Sequence, residues 1–177
     1  MVDEQLTQVD ENDNVIGPIN RAEAHSNPKI IHRTVSILLF NEHKQILIQK
    51  RSNNVDLFPN KYDISVGGHV KFGDSCIKTA LHEAQEEIGV HLLKSQLKPI
   101  CKTFEKSKYE TEIVQNYIAH VNSSDLSLKP NDEVSEFSFI SVSNFLDSTT
   151  NNKEIWAEWV FQTLQNLDIQ NLLKSML

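Results

Sequence analysis

The feature that most constrains this sequence of 177 residues is a helix-forming segment that ends in clustered glutamates. Its apolar residues recur at the three- and four-residue spacing of one buried helical face, at Ile77, Ala80, Leu81, Ala84 and Ile88. Asp74 or Ser75 would supply the N-cap, and Gly89 suits the left-handed residue that ends a helix. The sequence therefore predicts a helix over residues 75–88 with one face against a core.

Three carboxylates meet at the end of this helix. Glu83, Glu86 and Glu87 stand at positions i, i+3 and i+4, so their side chains are neighbours and repel one another. Negative charge in the last turn also opposes the helix dipole, at a cost of about 0.3 to 1 kcal/mol for each group. A divalent cation reverses both effects, and carboxylate oxygens suit magnesium or manganese. The alternative is a solvated acidic helix end, which is common in acidic proteins.

The residues around the glutamates resemble a family motif. Residues 68–90 are similar to the Nudix box, G-x5-E-x7-R-E-U-x-E-E-x-G-U, in which U is a bulky aliphatic residue. Six positions match outright: Gly68, Glu83, Glu86, Glu87, Gly89 and Val90. Three positions depart, because Asp74 replaces a glutamate, His82 replaces an arginine, and Ala84 is a small member of the aliphatic class.

The resemblance implies a fold and a metal site. The fold is of the α/β class, an α/β/α sandwich with a mixed central sheet and a loop-helix-loop that holds magnesium or manganese against a diphosphate. In the family, the glutamates matching Glu86 and Glu87 bind metal together with the backbone carbonyl matching Gly67, and the one matching Glu83 binds metal or activates water. The family arginine at the His82 position orients a glutamate through a charged fork, whereas histidine is shorter and partly charged near neutrality.

Composition and charge restrict the classes of partner. A chain of this length, with 39% hydrophobic and 23% charged residues, is expected to form one domain over residues 1–177. The net charge of −7 argues against a nucleic-acid surface. A small-molecule diphosphate would meet a repulsive protein unless bound cations reversed the local field. A metal is therefore expected on electrostatic grounds.

Localisation and assembly follow from weaker signals. The sequence begins without the pattern of a signal peptide and contains no run of the roughly 18 apolar residues that a membrane span requires. Cys76 and Cys101 show neither metal-ligand spacing nor a disulfide framework. A cytoplasmic location is therefore expected. The family resemblance makes a homodimer possible.

The remaining segments alternate between strand and helix patterns. Continuous apolar runs after Arg33 and Gln45 predict a hairpin in a sheet that is covered on both faces. Strands are predicted at 6–9, 15–19, 33–40, 45–50, 62–66, 97–104, 112–121 and 137–140. Besides residues 75–88, helices are predicted at 21–25, 143–146 and 154–173.

A second resemblance lies outside the box, to the isopentenyl-diphosphate isomerase branch of the Nudix superfamily. Those isomerases bind a divalent metal through three histidines and a Glu-x-Glu pair, which are similar here to His25, His32, His69, Glu110 and Glu112. Three histidines and two carboxylates would suit manganese or zinc. The alternative is that each histidine is an ordinary surface or hydrogen-bonding residue.

The residues that isomerase chemistry requires are not all present in this sequence. Those enzymes protonate a double bond with help from a cysteine at the position of Gly67, and glycine has no side chain to transfer a proton. Of the basic residues that hold the isoprenoid diphosphate, Arg21 and Arg51 remain, but Val55 and Glu83 replace a lysine and an arginine. The residues of the box therefore resemble those of a hydrolase, whereas the flanking segments resemble those of the isomerases.

The sequence therefore favours a metal-dependent hydrolase that cleaves a diphosphate linked to an unknown group X. Glu83 is the first candidate for the general base and Glu112 the second. Acidic residues at 132, 133 and 136 precede a predicted strand, in a region from which some Nudix enzymes recruit the base, although a solvated loop is their more ordinary interpretation. Arg51, Arg21 and Lys50 could contact phosphate. The alternatives are an isomerase and a metabolite-binding module with a degenerate site.

Overall fold

The computed structural model of the chain describes residues 4–177. Within that range, nine strands form one mixed sheet. The strands are β1 (Gln5–Val9), β2 (Val15–Asn20), β3 (Ile31–Phe40), β4 (Gln45–Arg51), β5 (Tyr62–Ile64), β6 (Val66–His69), β7 (Lys98–Lys106), β8 (Thr111–His120) and β9 (Val134–Ser141). The α-helices are α1 (Arg21–Ser26), α2 (Cys76–Ile88), α3 (Val142–Asn151), α4 (Glu158–Leu164) and α5 (Leu167–Met176). Short 3-10 turns occupy Lys94–Gln96, Ser123–Asp125 and Lys153–Ile155.

The sheet forks along the central strand β3. One edge of β3 pairs in parallel with β8 over its whole length, from Ile31 opposite Thr111 to Phe40 opposite His120. Its other edge pairs in turn with β1, β6 and β4, and β4 meets it only at Phe40 opposite Ile46. Strand β4 continues instead with β5 and β9. Two arms of the sheet therefore separate beyond the β3–β4 turn and leave a cleft between them.

A buried serine lies where the two arms meet. Ser65 separates β5, which pairs with β4, from β6, which pairs with β3. Its hydroxyl accepts a hydrogen bond from the Leu39 amide at 2.9 Å and donates one to the Leu47 carbonyl at 2.7 Å. One side chain thus satisfies two backbone groups that the fork would leave unpaired.

Helices cover both faces of the sheet, as predicted for strands with continuous apolar runs. Helix α2 packs on one face, where Ala80, Ala84 and Ile88 contact a cluster that includes Ile37 and Leu39. Helices α3, α4 and α5 pack on the other face against Leu38, Phe40, Ile46 and Ile48. The predicted α/β/α sandwich is confirmed. No helix within residues 4–177 is long and apolar enough to cross a membrane.

The local signals for α2 are also confirmed. Ser75, rather than Asp74, is the N-cap residue, and its hydroxyl accepts a hydrogen bond from the Lys78 amide. Gly89 ends the helix in the left-handed conformation, with φ of 69°, which glycine adopts without a steric penalty. The end of the helix, and so the positions of its glutamates, is fixed by these two caps.

Several element boundaries differ from the predictions. The predicted strand 62–66 is two strands, because Ser65 moves the chain from one arm to the other. The predicted helix 154–173 is a 3-10 turn followed by α4 and α5, because the Asn166 side chain accepts the amides of Asp168 and Ile169 and starts a new helix. The predicted strand 137–140 begins at Val134. Residue Glu136 therefore lies in β9 rather than in a loop.

Candidate active site

A cavity of about 490 Å³ lies in the cleft between the two arms of the sheet. It brings together residues that are far apart in the sequence, from α1, both arms of the sheet, α2 and α4. Among its lining residues are Arg21, His25, Arg51, Gly67, Gly68, His69, Glu83, Glu86, Glu87, Glu110 and Glu112. Most of the residues that the sequence predicted for the site therefore line one cavity.

The carboxylates of α2 form the acidic part of this cavity. Ligand atoms of Glu83 and Glu86 lie within 4.8 Å of each other and of a His82 nitrogen. Glu87 is more deeply placed, and the Gly67 amide donates a hydrogen bond to its Oε2 at 3.4 Å. The predicted three carboxylates and Gly67 thus meet at the junction of β6 and the end of α2.

The negative charge of these carboxylates is poorly compensated by the residues around them. Burial, with the nearby carboxylates of Glu86 and Glu133, raises the pKa of Glu83 to about 7. Burial, followed by repulsion from Glu83 and Glu133, raises the pKa of Glu87 well above its usual range. Such shifts arise where ionised groups lack a compensating charge. The oxygen donors and their unmet charge fit a hard divalent cation.

The other positions of the box support this arrangement in different ways. A Cβ atom on Gly68 would lie 2.3 Å from Cδ of Glu83, so only glycine leaves space for that carboxylate. His82 is exposed, and its Nδ1 lies 3.2 Å from Oε2 of Glu86. Asp74 does not line the cavity and pairs with Lys78 at 2.6 Å. The histidine therefore reaches a glutamate of the cluster, whereas Asp74 belongs to the helix start.

The three predicted histidines form a second cluster at the same cavity. Ligand atoms of His25, His32, His69 and Glu110 all lie within 4.8 Å of one another. The Nε2 atoms of His25 and His69 are 2.9 Å apart, and Glu110 Oε2 is 3.4 Å from His25 Nε2. Glu112, opposite His32 in the β3–β8 register, places Oε1 3.3 Å from His32 Nε2.

The histidines of this cluster are in the neutral state that metal binding requires. Burial lowers the pKa of His25 and of His32 to about 4, and that of His69 well below its usual value. Neutral imidazoles are the form that binds metal. Both ring nitrogens of His32 and Oε2 of Glu110 are buried without a hydrogen-bond partner within residues 4–177. These unpaired donors fit a divalent ion such as manganese or zinc.

The basic residues are positioned by neighbouring groups. Arg51 donates from Nε to the Leu57 carbonyl at 3.0 Å and from Nη1 to Asp63 at 3.3 Å, and its guanidinium lies 4.9 Å from the ring centre of Trp159. Arg21 pairs with Glu4 at 3.0 Å. Lys50 does not line the cavity; its ammonium lies over the Tyr62 ring. Arg51 and Arg21 are therefore the predicted cations that face the cavity.

The acidic residues before β9 separate into two groups. Asp132 and Glu133 line the cavity opposite α2. Glu136 does not, and its carboxylate accepts a hydrogen bond from Ser138. Glu136 lies within β9, opposite Lys50 in the β4–β9 register.

Several lining residues escaped the sequence analysis. Asp63 is buried and accepts hydrogen bonds from the Trp159 indole at 2.8 Å and from Arg51. Glu105 Oε1 accepts from Thr103 at 2.9 Å and from Thr163 at 2.6 Å, and burial raises the pKa of Glu105 to about 7. No sequence motif contains both Asp63 and Glu105, because the residues that they contact come from distant segments of the chain. The available signal was a single polar residue next to an apolar strand run, such as Gln49 after Ile48.

Comparisons with known proteins agree with this fold. An isopentenyl-diphosphate Delta-isomerase 1 of Photorhabdus laumondii is 28% identical over 159 residues, which cover 88% of this chain and 90% of the relative. A Nudix hydrolase of Deinococcus radiodurans is 36% identical over 98 residues, 55% of this chain and 57% of the relative. A crystal structure of a Deinococcus radiodurans protein matches with a TM-score of 0.73 and 23% identity, covering 98% of this chain and 99% of that one.

Both hydrolases and isomerases are therefore among the similar proteins, as the two resemblances predicted. The family model described as the NUDIX domain matches residues 30–160, which include α2 and most of the sheet. The chain belongs to the Nudix family.

Proposed function

We propose that this protein is a metal-dependent hydrolase that cleaves a diphosphate linked to another group by attack of water on phosphorus. The observation that carries the proposal is the position of Glu83, Glu86 and Glu87 beside Gly67 in a cavity that also contains Arg51. Carboxylates that lack a counter-charge bind a divalent cation, and the arginine can hold a phosphate oxygen. Magnesium or manganese is the proposed cofactor.

The roles of the residues follow from burial and contact. We assign Glu86, Glu87 and the Gly67 carbonyl to hold the cation, and Glu83 to accept the proton of the attacking water. When bound, the cation supplies positive charge that neutralises diphosphate oxygens and acidifies the water. Glu83 lines the same cavity as these ligands, where its carboxylate can accept a proton from water. Glu112 is the second candidate for the base, and Glu133 faces the same cavity.

The histidine cluster is proposed to bind a second divalent ion. His25, His32, His69 and Glu110 would be its ligands, with Glu112 beside them. The neutral histidines and the unpaired atoms of His32 and Glu110 support this assignment. Hydrolysis at α2 does not require these ligands, so the two ions would be separable by mutation.

A screen for product tests the hydrolase. The protein is incubated with a panel of nucleoside diphosphate derivatives and other diphosphates, separately with magnesium and with manganese. Release of phosphate, pyrophosphate or a nucleotide product is expected. Glu87→Gln should lower kcat/KM about a hundredfold or more and raise the magnesium concentration needed for half-maximal rate. Full activity of that variant at limiting magnesium would contradict the ligand assignment.

The isomerase is the second candidate, and the 28% identical relative of that name favours it. Gly67 argues against it, because glycine cannot transfer a proton. A Cβ at this position would lie 3.6 Å from the Val35 carbonyl oxygen, an ordinary contact, so Gly67→Cys should fold. Conversion of isopentenyl to dimethylallyl diphosphate by the natural protein, without loss of phosphate, would replace the hydrolase assignment. A gain of trace isomerase activity in Gly67→Cys would support common ancestry.

A metabolite-binding module is the third candidate, since Asp74 and His82 depart from the box. It predicts binding of a diphosphate without turnover, unchanged by Glu83→Gln. The hydrolase predicts a loss of about 100- to 10,000-fold in that variant. We further propose one domain over residues 1–177, a cytoplasmic location and a small-molecule substrate rather than nucleic acid or membrane. A homodimer stays a prediction, which light scattering would test.

A further inference from the structure

One arginine of the cavity is held by three different groups. Arg51 donates from Nε to the Leu57 carbonyl at 3.0 Å and from Nη1 to Oδ2 of Asp63 at 3.3 Å, and its guanidinium carbon lies 4.9 Å from the centre of the Trp159 ring. Hydrogen-bond acceptors approach a guanidinium in its plane, whereas an aromatic ring approaches its face. The three contacts therefore restrict both the position and the tilt of this group.

Two of the groups that hold Arg51 also bind each other. The Trp159 indole N–H donates to Oδ1 of Asp63 at 2.8 Å, and the Ile64 amide donates to the same oxygen at 2.8 Å. Both oxygens of the buried Asp63 carboxylate thus accept hydrogen bonds. Arg51, Asp63 and Trp159 form a triangle in which each side chain contacts the other two.

The triangle joins three elements of the fold. Arg51 ends β4, Asp63 lies on the neighbouring strand β5, and Trp159 lies in the first turn of α4. The start of α4 is attached to β5, because the Ala157 amide donates to the Tyr62 carbonyl at 2.9 Å. The position of the tryptophan over the arginine is therefore determined by the contact between α4 and the sheet.

The loop between β4 and β5 supports the triangle in a strained conformation. Phe58 has φ of 50°, which bulky residues rarely adopt. Its ring meets the Trp159 ring edge-on, with 4.8 Å between the ring centres, and the preceding Leu57 supplies the carbonyl that Arg51 contacts. Such a backbone conformation persists where the surrounding contacts hold it. The loop is thus held in the form that fixes both Arg51 and Trp159.

The triangle leaves part of the guanidinium available for a ligand. A guanidinium has more N–H groups than these contacts use, and Nη2 of Arg51 makes no hydrogen bond within residues 4–177. Arg51 lines the cavity together with the carboxylates of α2. An arginine that is fixed in this way can donate two N–H groups to one phosphate.

We propose that Asp63 and Trp159 are positioning residues, which orient Arg51 so that its remaining N–H groups face a phosphate of the substrate. The inference rests on the proposed function, because it takes Arg51 to hold a phosphate oxygen. A mobile arginine loses side-chain freedom when it binds an anion, whereas this one has lost that freedom in the free protein. Asp63 and Trp159 therefore increase phosphate affinity through Arg51.

Calorimetric Kd values for inorganic pyrophosphate with magnesium test the proposal. We expect Asp63→Asn and Trp159→Phe to raise Kd about tenfold, because each variant releases Arg51. Charge alone has the opposite effect for Asp63→Asn, since removal of a negative group beside a bound anion lowers Kd. Trp159→Phe retains an aromatic ring beside Arg51 and loses the indole N–H, and it decides the question alone if Asp63→Asn does not fold.

Two further measurements show whether the effect passes through Arg51. Arg51→Lys should raise Kd about tenfold, because lysine lacks the planar fork, and Asp63→Asn in that background should change Kd less than about twofold. The NMR signal of the Arg51 Nε–H group is assigned by its loss in Arg51→Lys. In the free protein it should move toward the position of a mobile arginine in both Asp63→Asn and Trp159→Phe.

Asp13→Asn and Trp156→Phe are the matched controls. Asp13 pairs with Arg33 at 2.7 Å, and the Trp156 indole donates to Ser148 at 3.0 Å, but these residues do not line the cavity. Each control removes the same kind of contact as its test variant and should lower the melting temperature. Neither should change the Kd for pyrophosphate or the Arg51 signal.

The inference is overturned if Asp63→Asn and Trp159→Phe bind pyrophosphate as tightly as the natural protein, or more tightly, or leave the Arg51 signal unchanged. It is also overturned if the full loss recurs in the Arg51→Lys background, if Arg51→Lys leaves Kd unchanged, or if the natural protein does not bind pyrophosphate with magnesium. Failure of the proposed function has a different signature. The natural protein would then bind pyrophosphate but cleave no member of the diphosphate panel, and the Kd values would still measure the positioning of Arg51.

Discussion

Gly68 leaves the space that Glu83 occupies: a methyl group on Gly68 would approach Cδ of Glu83 to 2.3 Å and Cγ to 2.5 Å. Strand β6 and helix α2 therefore meet at a glycine because the carboxylate lies against the strand backbone. The side chain proposed as the general base depends on a residue that contributes no chemistry of its own.

The first prediction follows from this contact. Gly68→Ala should move Glu83 and lower kcat/KM about a hundredfold, because displacement of a catalytic group by about 1 Å costs that much. Rate measurements at saturating magnesium test this. Gly17→Ala is the control, since a Cβ on Gly17 would meet nothing within 4 Å. Normal rates in Gly68→Ala would contradict the dependence of the Glu83 position on this glycine.

The second prediction concerns stability and pH in the absence of metal. The pKa of Glu83 is raised from 4.5 to about 7 in the folded chain, so the folded state binds more protons than the unfolded state between these values. The stability that protonated Glu83 contributes is present below pH 4.5 and is lost as the pH rises through 7. Glu83→Gln should avoid this loss.

Urea midpoints in a chelator, compared at pH 5 and pH 8, measure this difference. Glu83→Gln should gain stability over the natural protein at pH 8 and little at pH 5. Saturating magnesium is the control, because the cation stabilises the ionised carboxylates of the natural protein and should close the gap. A gap that does not vary with pH would be inconsistent with the burial of this carboxyl.

The third prediction concerns metal content. His25 Nε2 is 2.9 Å from His69 Nε2 and 3.4 Å from Glu110, and it lies at the end of α1, where substitution disturbs the core little. His25→Asn should reduce bound manganese from two ions per chain to one, as measured by elemental analysis after gel filtration. Hydrolysis with magnesium should stay within about threefold, because the α2 site is intact. His91→Asn, outside both clusters, is the control.

The fourth prediction tests the break between α4 and α5. The Asn166 side chain accepts the Asp168 amide at 2.9 Å and the Ile169 amide at 3.3 Å. Asn166→Ala should lose about 1 kcal/mol of stability, seen as a fall of about 2 to 4 °C in melting temperature, with unchanged kinetics. Asn151→Ala, at an exposed helix end, should fall by less than half as much. An unchanged melting temperature in Asn166→Ala would mean that the cap contributes nothing.

The parts of the structure that sequence analysis anticipated are those with local causes. Helix α2 was predicted with its end because Ser75, the apolar spacing and Gly89 act within one segment. The histidine cluster was anticipated only through resemblance, since nothing in the spacing of His25, His32 and His69 shows that three elements meet. The prediction of one long C-terminal helix over residues 154–173 was wrong. The apolar spacing continues across Asn166, but the hydrogen bonds that the Asn166 side chain accepts compete with continuation of the helix.

The contacts between distant segments were not predictable. Glu105 is held by Thr163, and Asp63 by Arg51 and Trp159, across strands and α4. Each pair depends on the forked sheet, which brings the two arms to either side of the cavity. The sequence shows that these residues are polar, but it does not show which residue each of them contacts in the fold.

The hydroxyl of Ser65 gives the fork its fixed opening. It accepts a hydrogen bond from the amide of Leu39 and donates one to the carbonyl of Leu47 at the base of the two arms. Ser65 is fully buried, so these two bonds are shielded from solvent and fix the distance between the arms at this point. Gly67 and His69 lie on one arm and Arg51 on the other. The width of the cleft is therefore set by a residue that does not line the cavity, and selection on the size of the proposed substrate can act at Ser65 without altering the residues proposed for the chemistry.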